Sequence, residues 1–197
     1  MKKKVLTLLF LVAGWQATQA QNMSMYKALN DSAYKCKVNN MKKEMKYYIE
    51  EMYDHKVIYM RRMGQYGVEN YKLMCKMKAW ADERGLLTND AVLFGIALDN
   101  PQFTKPNECR YDVCLLVPSA KDIATEDQVE IRNLCGGKYA VFTIDHTADV
   151  VTNFWKSFPT EMANSGLSVD FSRPIMERYS VKMVTNGLCE MCVPVSK

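Results

Sequence analysis

Cys189-Glu-Met-Cys192 has the Cys-x-x-Cys spacing of a redox or metal pair. The chemistry needs both sulfurs on one side of the chain. The segment around it, Cys189-Glu-Met-Cys-Val-Pro-Val195, has the composition of a strand. Residues three apart on a strand point to opposite faces, so the two sulfurs diverge. Only His55 and His146 are present to complete a zinc site, which leaves such a site poorly supplied. No metal and no cofactor are expected. No Ser-His-Asp arrangement and no phosphate-binding glycine loop is evident, which disfavours a conventional hydrolase or kinase.

The charge balance carries a further exclusion. The chain has 197 residues, 48% hydrophobic and 24% charged, with a formal charge of +4. Lys2, Lys3 and Lys4 supply three of the 26 basic residues, leaving 23 against 22 acidic ones. A nearly neutral body has no electrostatic footprint for nucleic acid, so direct nucleic-acid binding is not expected.

The same three lysines open a signal-like segment. They precede the apolar run Val5 to Ala13 and small residues at Thr18 and Ala20. Residues 1–20 are therefore expected to be an export signal, with a periplasmic or secreted mature chain. The run is too short to span a bilayer, and no later segment is long enough. The seven cysteines, an odd number, point the other way, towards a cytoplasmic chain. Residues 21–46 are polar and read as a linker or a solvated helix.

The elements that must position any site begin after that. Residues 56–63 have the β-branched and aromatic content of a strand. Residues 68–84 have Leu73, Met77 and Trp80 on one stripe and Glu69, Lys72, Lys76 and Glu83 opposite, which predicts a helix. Gly85 is its natural stop. Strands are predicted over 92–98 and 111–117, separated by a loop bearing Pro101 and Pro106. The order then recurs. Residues 138–144 read as a strand. Val151, Phe154, Trp155, Phe158 and Met162 mark a helix that Pro159 either kinks or restarts near Ser157. Residues 175–181 and 189–195 read as closing strands.

The two series align. Tyr59 matches Val141, Gly85 matches Gly166, and Asp112-Val-Cys-Leu matches Glu190-Met-Cys-Val, at separations of 82, 81 and 78 residues. This predicts an internal duplication of a strand–helix–strand–strand unit in an α+β domain over residues 47–197. Two helices would lie on one face of a curved antiparallel sheet, with a cleft between the halves.

Four stretches carry a resemblance. They are Arg61-Arg-Met-Gly-Gln-Tyr-Gly67; Gly95-Ile-Ala-Leu-Asp-Asn-Pro101 running through Thr104 and Pro106 to Cys109-Arg-Tyr-Asp-Val-Cys114; Leu134-Cys-Gly-Gly-Lys-Tyr-Ala-Val-Phe142 with Trp155; and Met176-Glu-Arg-Tyr179 with Glu190-Met-Cys-Val-Pro-Val195. Together they resemble the GyrI-like small-molecule-binding domain, also the effector-binding half of many AraC-type transcription regulators. The second stretch is the specific one.

The resemblance implies a pocket between the halves for hydrophobic or cationic small molecules, lined by a buried glutamate and aromatics. The matching glutamate is Glu177. Its own residue pattern alone favours solvent or an Arg or Lys partner; the resemblance places it inside. On a strand, Ile175, Glu177 and Tyr179 share one face. A buried carboxylate there would have a raised pKa, and a cation would relieve its cost. The resemblance also brings Tyr66 and Trp155 to the pocket, with Tyr111 as a further aromatic. Arg110 and Asp112 are expected to form a structural ion pair. Two departures from the family pattern limit what carries over: His146-Thr-Ala148 stands where many members have Gly-Pro-Tyr, and Cys192 stands in place of an aromatic, the smaller side chain there implying a wider or differently shaped pocket.

The resulting expectation is a stand-alone effector-binding module, because only 46 residues precede Tyr47 and AraC-type regulators carry a larger helix-turn-helix region there. Two alternatives follow from the resemblance. One is a hydrolase of reactive small molecules with Glu177 as general base and Tyr179 as donor. The other is an inhibitor of the gyrase-inhibitor type, which export would separate from gyrase.

Overall fold

A computed structural model describes residues 45–101, 103–117 and 129–196. The signal-like segment 1–20 and nearly all of the polar stretch 21–46 lie outside the described residues. The elements in chain order are β1 (Tyr48–Met52), β2 (His55–Met63), α1 (Val68–Glu83), β3 (Val92–Ala97), β4 (Arg110–Leu116), β5 (Glu130–Leu134), β6 (Gly137–Asp145), α2 (Ala148–Ser165), β7 (Ser168–Val169), β8 (Met176–Ser180), α3 (Val181–Thr185) and β9 (Leu188–Ser196). A single 3-10 turn, Pro106–Glu108, precedes β4.

Eight strands form one antiparallel sheet in the order β1-β6-β9-β8-β3-β4-β2-β5, and the short β7 pairs with β9. The order reads the same from either end once the halves are interchanged. β1 corresponds to β5, β2 to β6, β3 to β8 and β4 to β9. The buried and exposed positions repeat as well: β1 matches β5 and β2 matches β6, residue for residue.

Each unit is larger than its sequence pattern shows, because a leading strand precedes it. β1 pairs with β6 of the second half, and β5 pairs with β2 of the first. The halves thus exchange their first strands. Tyr-Ile-Glu-Glu-Met and Glu-Ile-Arg-Asn-Leu each carry two charged residues because they lie at the sheet edges, where charge is common.

Both main helices pack on one face. Met77 and Ala81 of α1, and Phe154, Trp155, Phe158 and Met162 of α2, join Ile58, Met60, Leu93, Val113, Leu115, Phe142, Met191 and Val193 in one core. Val57, Tyr59, Phe94, Ile96, Cys114, Val141 and Cys192 form a second cluster on the opposite face. That parity follows from alternation along each strand.

Local signals explain the helix ends. Gly85 (φ +66°) follows α1, and the Leu86 amide donates to the Ala81 carbonyl at 2.8 Å. Gly166 (φ +74°) closes α2. Pro159 does not restart α2, which runs unbroken from Ala148 to Ser165 with Pro159 buried inside it. Thr147 is the cap instead, its side chain accepting from the Val150 amide at 3.3 Å. Ser157 donates its hydroxyl to the Asn153 carbonyl at 2.8 Å. The burial of Phe154, Trp155, Phe158 and Met162 along one stripe offsets the hydrogen bond that the proline lacks.

Candidate ligand-binding site

The centre of the sheet is where the halves meet, at β3 and β8. Cys114 faces Tyr59 across one strand pair, as Cys192 faces Val141 across its counterpart. On their other sides Cys114 faces Phe94 and Cys192 faces Met176. Phe94 and Met176 are therefore equivalent, and so are their successors Gly95 and Glu177. Gly95 and Glu177 also lie directly opposite each other in the β3–β8 ladder. The pseudo-twofold axis relating the halves passes between them.

One row of helix-facing residues crosses the sheet here: Phe142, Met191, Glu177, Gly95, Val113 and Met60. Glu177 is the only charged member of that row, and its exposure is 6%. Gly95 leaves the space its carboxylate occupies. A Cβ at Gly95 would stand 2.3 Å from the Tyr111 hydroxyl and 3.0 Å from Glu177 Oε2.

Three neutral donors converge on the carboxylate. Tyr179 donates to Oε2 at 2.8 Å, Trp155 Nε1 to Oε1 at 3.1 Å, and Tyr111 to Oε2 at 3.5 Å. Each comes from a different element: β8, α2 and β4. Burial holds the Glu177 pKa above the usual carboxylate range, and the hydrogen bonds from Tyr179, Trp155 and Tyr111 pull in the other direction. Burial, followed by the Glu177 charge, raises Tyr111 and Tyr179 well above the usual phenol value, so both remain donors.

The other buried carboxylates are treated differently. Asp112 is gripped by Arg61 at 2.6 Å and by Arg132. Glu190 is gripped by Arg178 at 2.7 Å and accepts from Tyr48 at 2.8 Å. Among the described residues, no Arg or Lys pairs with Glu177. It is the one buried carboxylate there without a basic partner.

The expected Arg110–Asp112 pair does not form. Arg61 sits directly opposite Asp112 in the β2–β4 ladder, closer than a residue two along the same strand. Arg110, at the strand end, instead binds Asp99 at 2.7 Å through its guanidinium and its backbone amide.

The structure brings Glu177, Tyr179, Trp155 and Tyr111 together. Tyr66 stands behind them. Its ring meets the Tyr111 ring edge-on at 6.4 Å, and its hydroxyl is engaged with the Asp99 and Arg110 backbone at 2.9 and 3.0 Å. Gly95 opens the Gly-Ile pair of β3, and its closeness to Glu177 follows from the β3–β8 pairing, which no local pattern encodes. His146 lies 5.3 Å, ring to ring, from Tyr179.

Cys189 and Cys192 are both buried with free thiols, on opposite faces of β9. Burial pushes each up to about 12, which suppresses thiolate chemistry. Among the described residues no group of three or more His, Cys, Asp or Glu is placed to hold a metal ion. Among them, too, no helix is long and apolar enough to cross a membrane.

Comparison with known proteins adds to this geometry. YosT, an SPbeta prophage-derived candidate transcriptional regulator of Bacillus subtilis (strain 168), is 39% identical over 152 residues, which is 77% of this chain and 99% of YosT. The crystal structure of the EcmrR C-terminal domain is similar at 14% identity, with TM-score 0.57, covering 78% of this chain and 98% of that one. SAV2435 bound to tetraphenylphosphonium is similar at 14% identity and TM-score 0.51, covering 77% of this chain and 94% of that one. The model of the GyrI-like small-molecule-binding domain matches residues 45–196, the whole duplicated body with Glu177 at its centre. The chain belongs to the GyrI-like small-molecule-binding domain family.

Proposed function

We propose that this protein is an effector-binding module that takes a lipophilic cation against Glu177, with Tyr179, Trp155, Tyr111 and Tyr66 as the aromatic surroundings. The observation that carries this is the contrast between Glu177 and the other buried carboxylates. Asp112 and Glu190 have guanidinium partners; among the described residues Glu177 has three neutral donors and no cation. A buried carboxylate without a counter-charge is costly, and a cation arriving from outside would remove that cost. Aromatic faces beside it would add cation–π attraction. A relative of the same fold, SAV2435, has been solved with tetraphenylphosphonium bound, which supports the choice of ligand class.

Calorimetric titration with tetraphenylphosphonium tests this. Wild type should bind it saturably, and Glu177→Gln should bind it at least about tenfold more weakly, the scale of one charge-assisted contact. Equal affinity in both proteins would remove Glu177 from the site. The same proteins incubated with electrophilic esters and epoxides separate binding from hydrolysis. Product formed by wild type and lost in Glu177→Gln would make the protein an enzyme instead.

A further inference from the structure

The two halves fill equivalent places differently. The glycines that end the helices set Leu73 of α1 level with Phe154 of α2, just as Met77 and Ala81 fall level with Phe158 and Met162. The strand equivalences set Met60 level with Phe142. Val129 and Tyr47, which precede β5 and β1, are level as well. In the second half these positions are aromatic and pack in series. The Tyr47 and Phe142 ring centroids lie 5.4 Å apart, and those of Phe142 and Phe154 lie 5.2 Å apart. In the first half they are Val129, Met60 and Leu73, which bring no ring, and a cavity of about 360 Å³ is found among them. That is within the range of small-molecule sites. It lies where the β2–β5 ladder ends, at Tyr59 and Glu130. Protein interiors pack closely, and the second half shows that this fold can fill the space with its own side chains.

The chemistry of the lining selects the occupant. Val129, Met60 and Leu73 supply an apolar surface. Among the polar lining groups, Arg61 is held by Asp112 at 2.6 Å, and Glu130 accepts the Tyr59 hydroxyl. Lys76 of α1 lines the cavity too, and among the described residues nothing pairs with its ammonium. We infer that this cavity is a second ligand site, separate from Glu177, that takes a small amphipathic anion, with its alkyl chain against Val129, Met60 and Leu73 and its carboxylate at Lys76. The chain leaving water supplies most of the affinity. The exposed ammonium forms only a weak ion pair and supplies the selection for an anion. Arg61 and Lys76 outnumber Glu130, so a cation is disfavoured here. This site does not depend on the assignment of a cation to Glu177, and the two ligands do not compete.

The test uses two matched probes, octanoate and 1-octanol, titrated calorimetrically into the full chain. Wild type should bind octanoate saturably and prefer it to 1-octanol by about threefold, the scale of one exposed ion pair. Leu73→Phe supplies the ring that Phe154 supplies in the second half. It should weaken octanoate binding at least about tenfold, because the ring overlaps the chain, and leave the thermal melt and tetraphenylphosphonium binding as in wild type. Met60→Phe fills the same space from β2 and serves where Leu73→Phe does not fold. Lys76→Met, at an exposed position, keeps the aliphatic stem and should abolish the preference for octanoate while 1-octanol binds as before. The site is overturned if octanoate does not bind wild type, if it binds no better than 1-octanol, or if the preference survives Lys76→Met. Undiminished binding to the folded ring variants overturns it as well. So does displacement of tetraphenylphosphonium by octanoate, because both would then occupy one site.

Discussion

Gly95 and Glu177 are partners in the β3–β8 ladder and also equivalent positions in the two halves of the duplication. A single residue type could not serve at both places. Two glutamates there would set like charges together, and any side chain at 95 would meet the Tyr111 hydroxyl. The duplicated fold therefore builds one carboxylate on its axis, supplied by the second half and accommodated by the first.

That relationship predicts the behaviour of Gly95→Ala. The new methyl would lie 2.3 Å from the Tyr111 hydroxyl, so the phenol or the carboxylate has to move. Overpacking of this kind costs about 1–3 kcal/mol. Denaturant unfolding should show that loss, and tetraphenylphosphonium binding should weaken. Adding Tyr111→Phe removes the clashing oxygen and should recover part of both. Failure of the double variant to improve on the single one would show that the glycine serves something other than this gap.

Cation binding should depend on pH through Glu177. Its pKa is raised by burial, so the carboxylate that attracts the cation appears only above the usual range. Affinity for tetraphenylphosphonium should rise as pH rises through that pKa, and Glu177→Gln should give a flat profile. Stability without ligand runs the opposite way. The contribution of a group with a raised pKa is fully present below its unfolded value and is lost as pH rises through its folded value. Wild type should therefore lose stability relative to Glu177→Gln over that window, as read from paired urea melts.

Trp155 holds the charged form of Glu177 through the 3.1 Å bond from Nε1. Trp155→Phe keeps much of the ring volume and deletes this donor. The Glu177 pKa should rise further, because the bond from Trp155 favours the charged form and its loss leaves burial less opposed. The midpoint of the pH-dependent binding curve should move upward accordingly. An unmoved midpoint would separate Trp155 from the carboxylate.

Asp112 provides the contrast, because its role is structural and its side chain faces away from the helices. Asp112→Asn would leave Arg61 and Arg132 without the charge they converge on. A loss of about 3–5 kcal/mol is expected from breaking a buried pair, less whatever the two partly exposed arginines recover from water. Tetraphenylphosphonium affinity should stay unchanged in the folded variant, measured below its melting temperature.

Much of the fold was legible in the chain, and the reasons are local. The stripe Leu73, Met77 and Trp80, the glycines at 85 and 166, and the alternation in β2 and β6 are patterns within one element. β1 and β5 escaped because they are short, charge-bearing edge strands whose partners lie in the other half. The parity of Glu177 and Tyr179 was readable two residues apart on β8, and their hydrogen bond follows from it. Trp155 and Tyr111 come from α2 and β4, and residue spacing alone gave no reason to bring them to Glu177. The partners of Asp112 escaped for the same reason, since ladder registers decide them and no local pattern encodes those.

The most direct measurement is the titration of the Glu177 side-chain carboxyl itself, followed by carbon NMR with Glu177→Gln identifying the resonance. A cation seated against the carboxylate stabilises its charged form, so saturating tetraphenylphosphonium should shift the Glu177 midpoint to lower pH than in the free protein. A midpoint that is unmoved in the ligand-saturated protein would contradict the account, because the ligand would then be bound somewhere other than at the carboxylate on the axis.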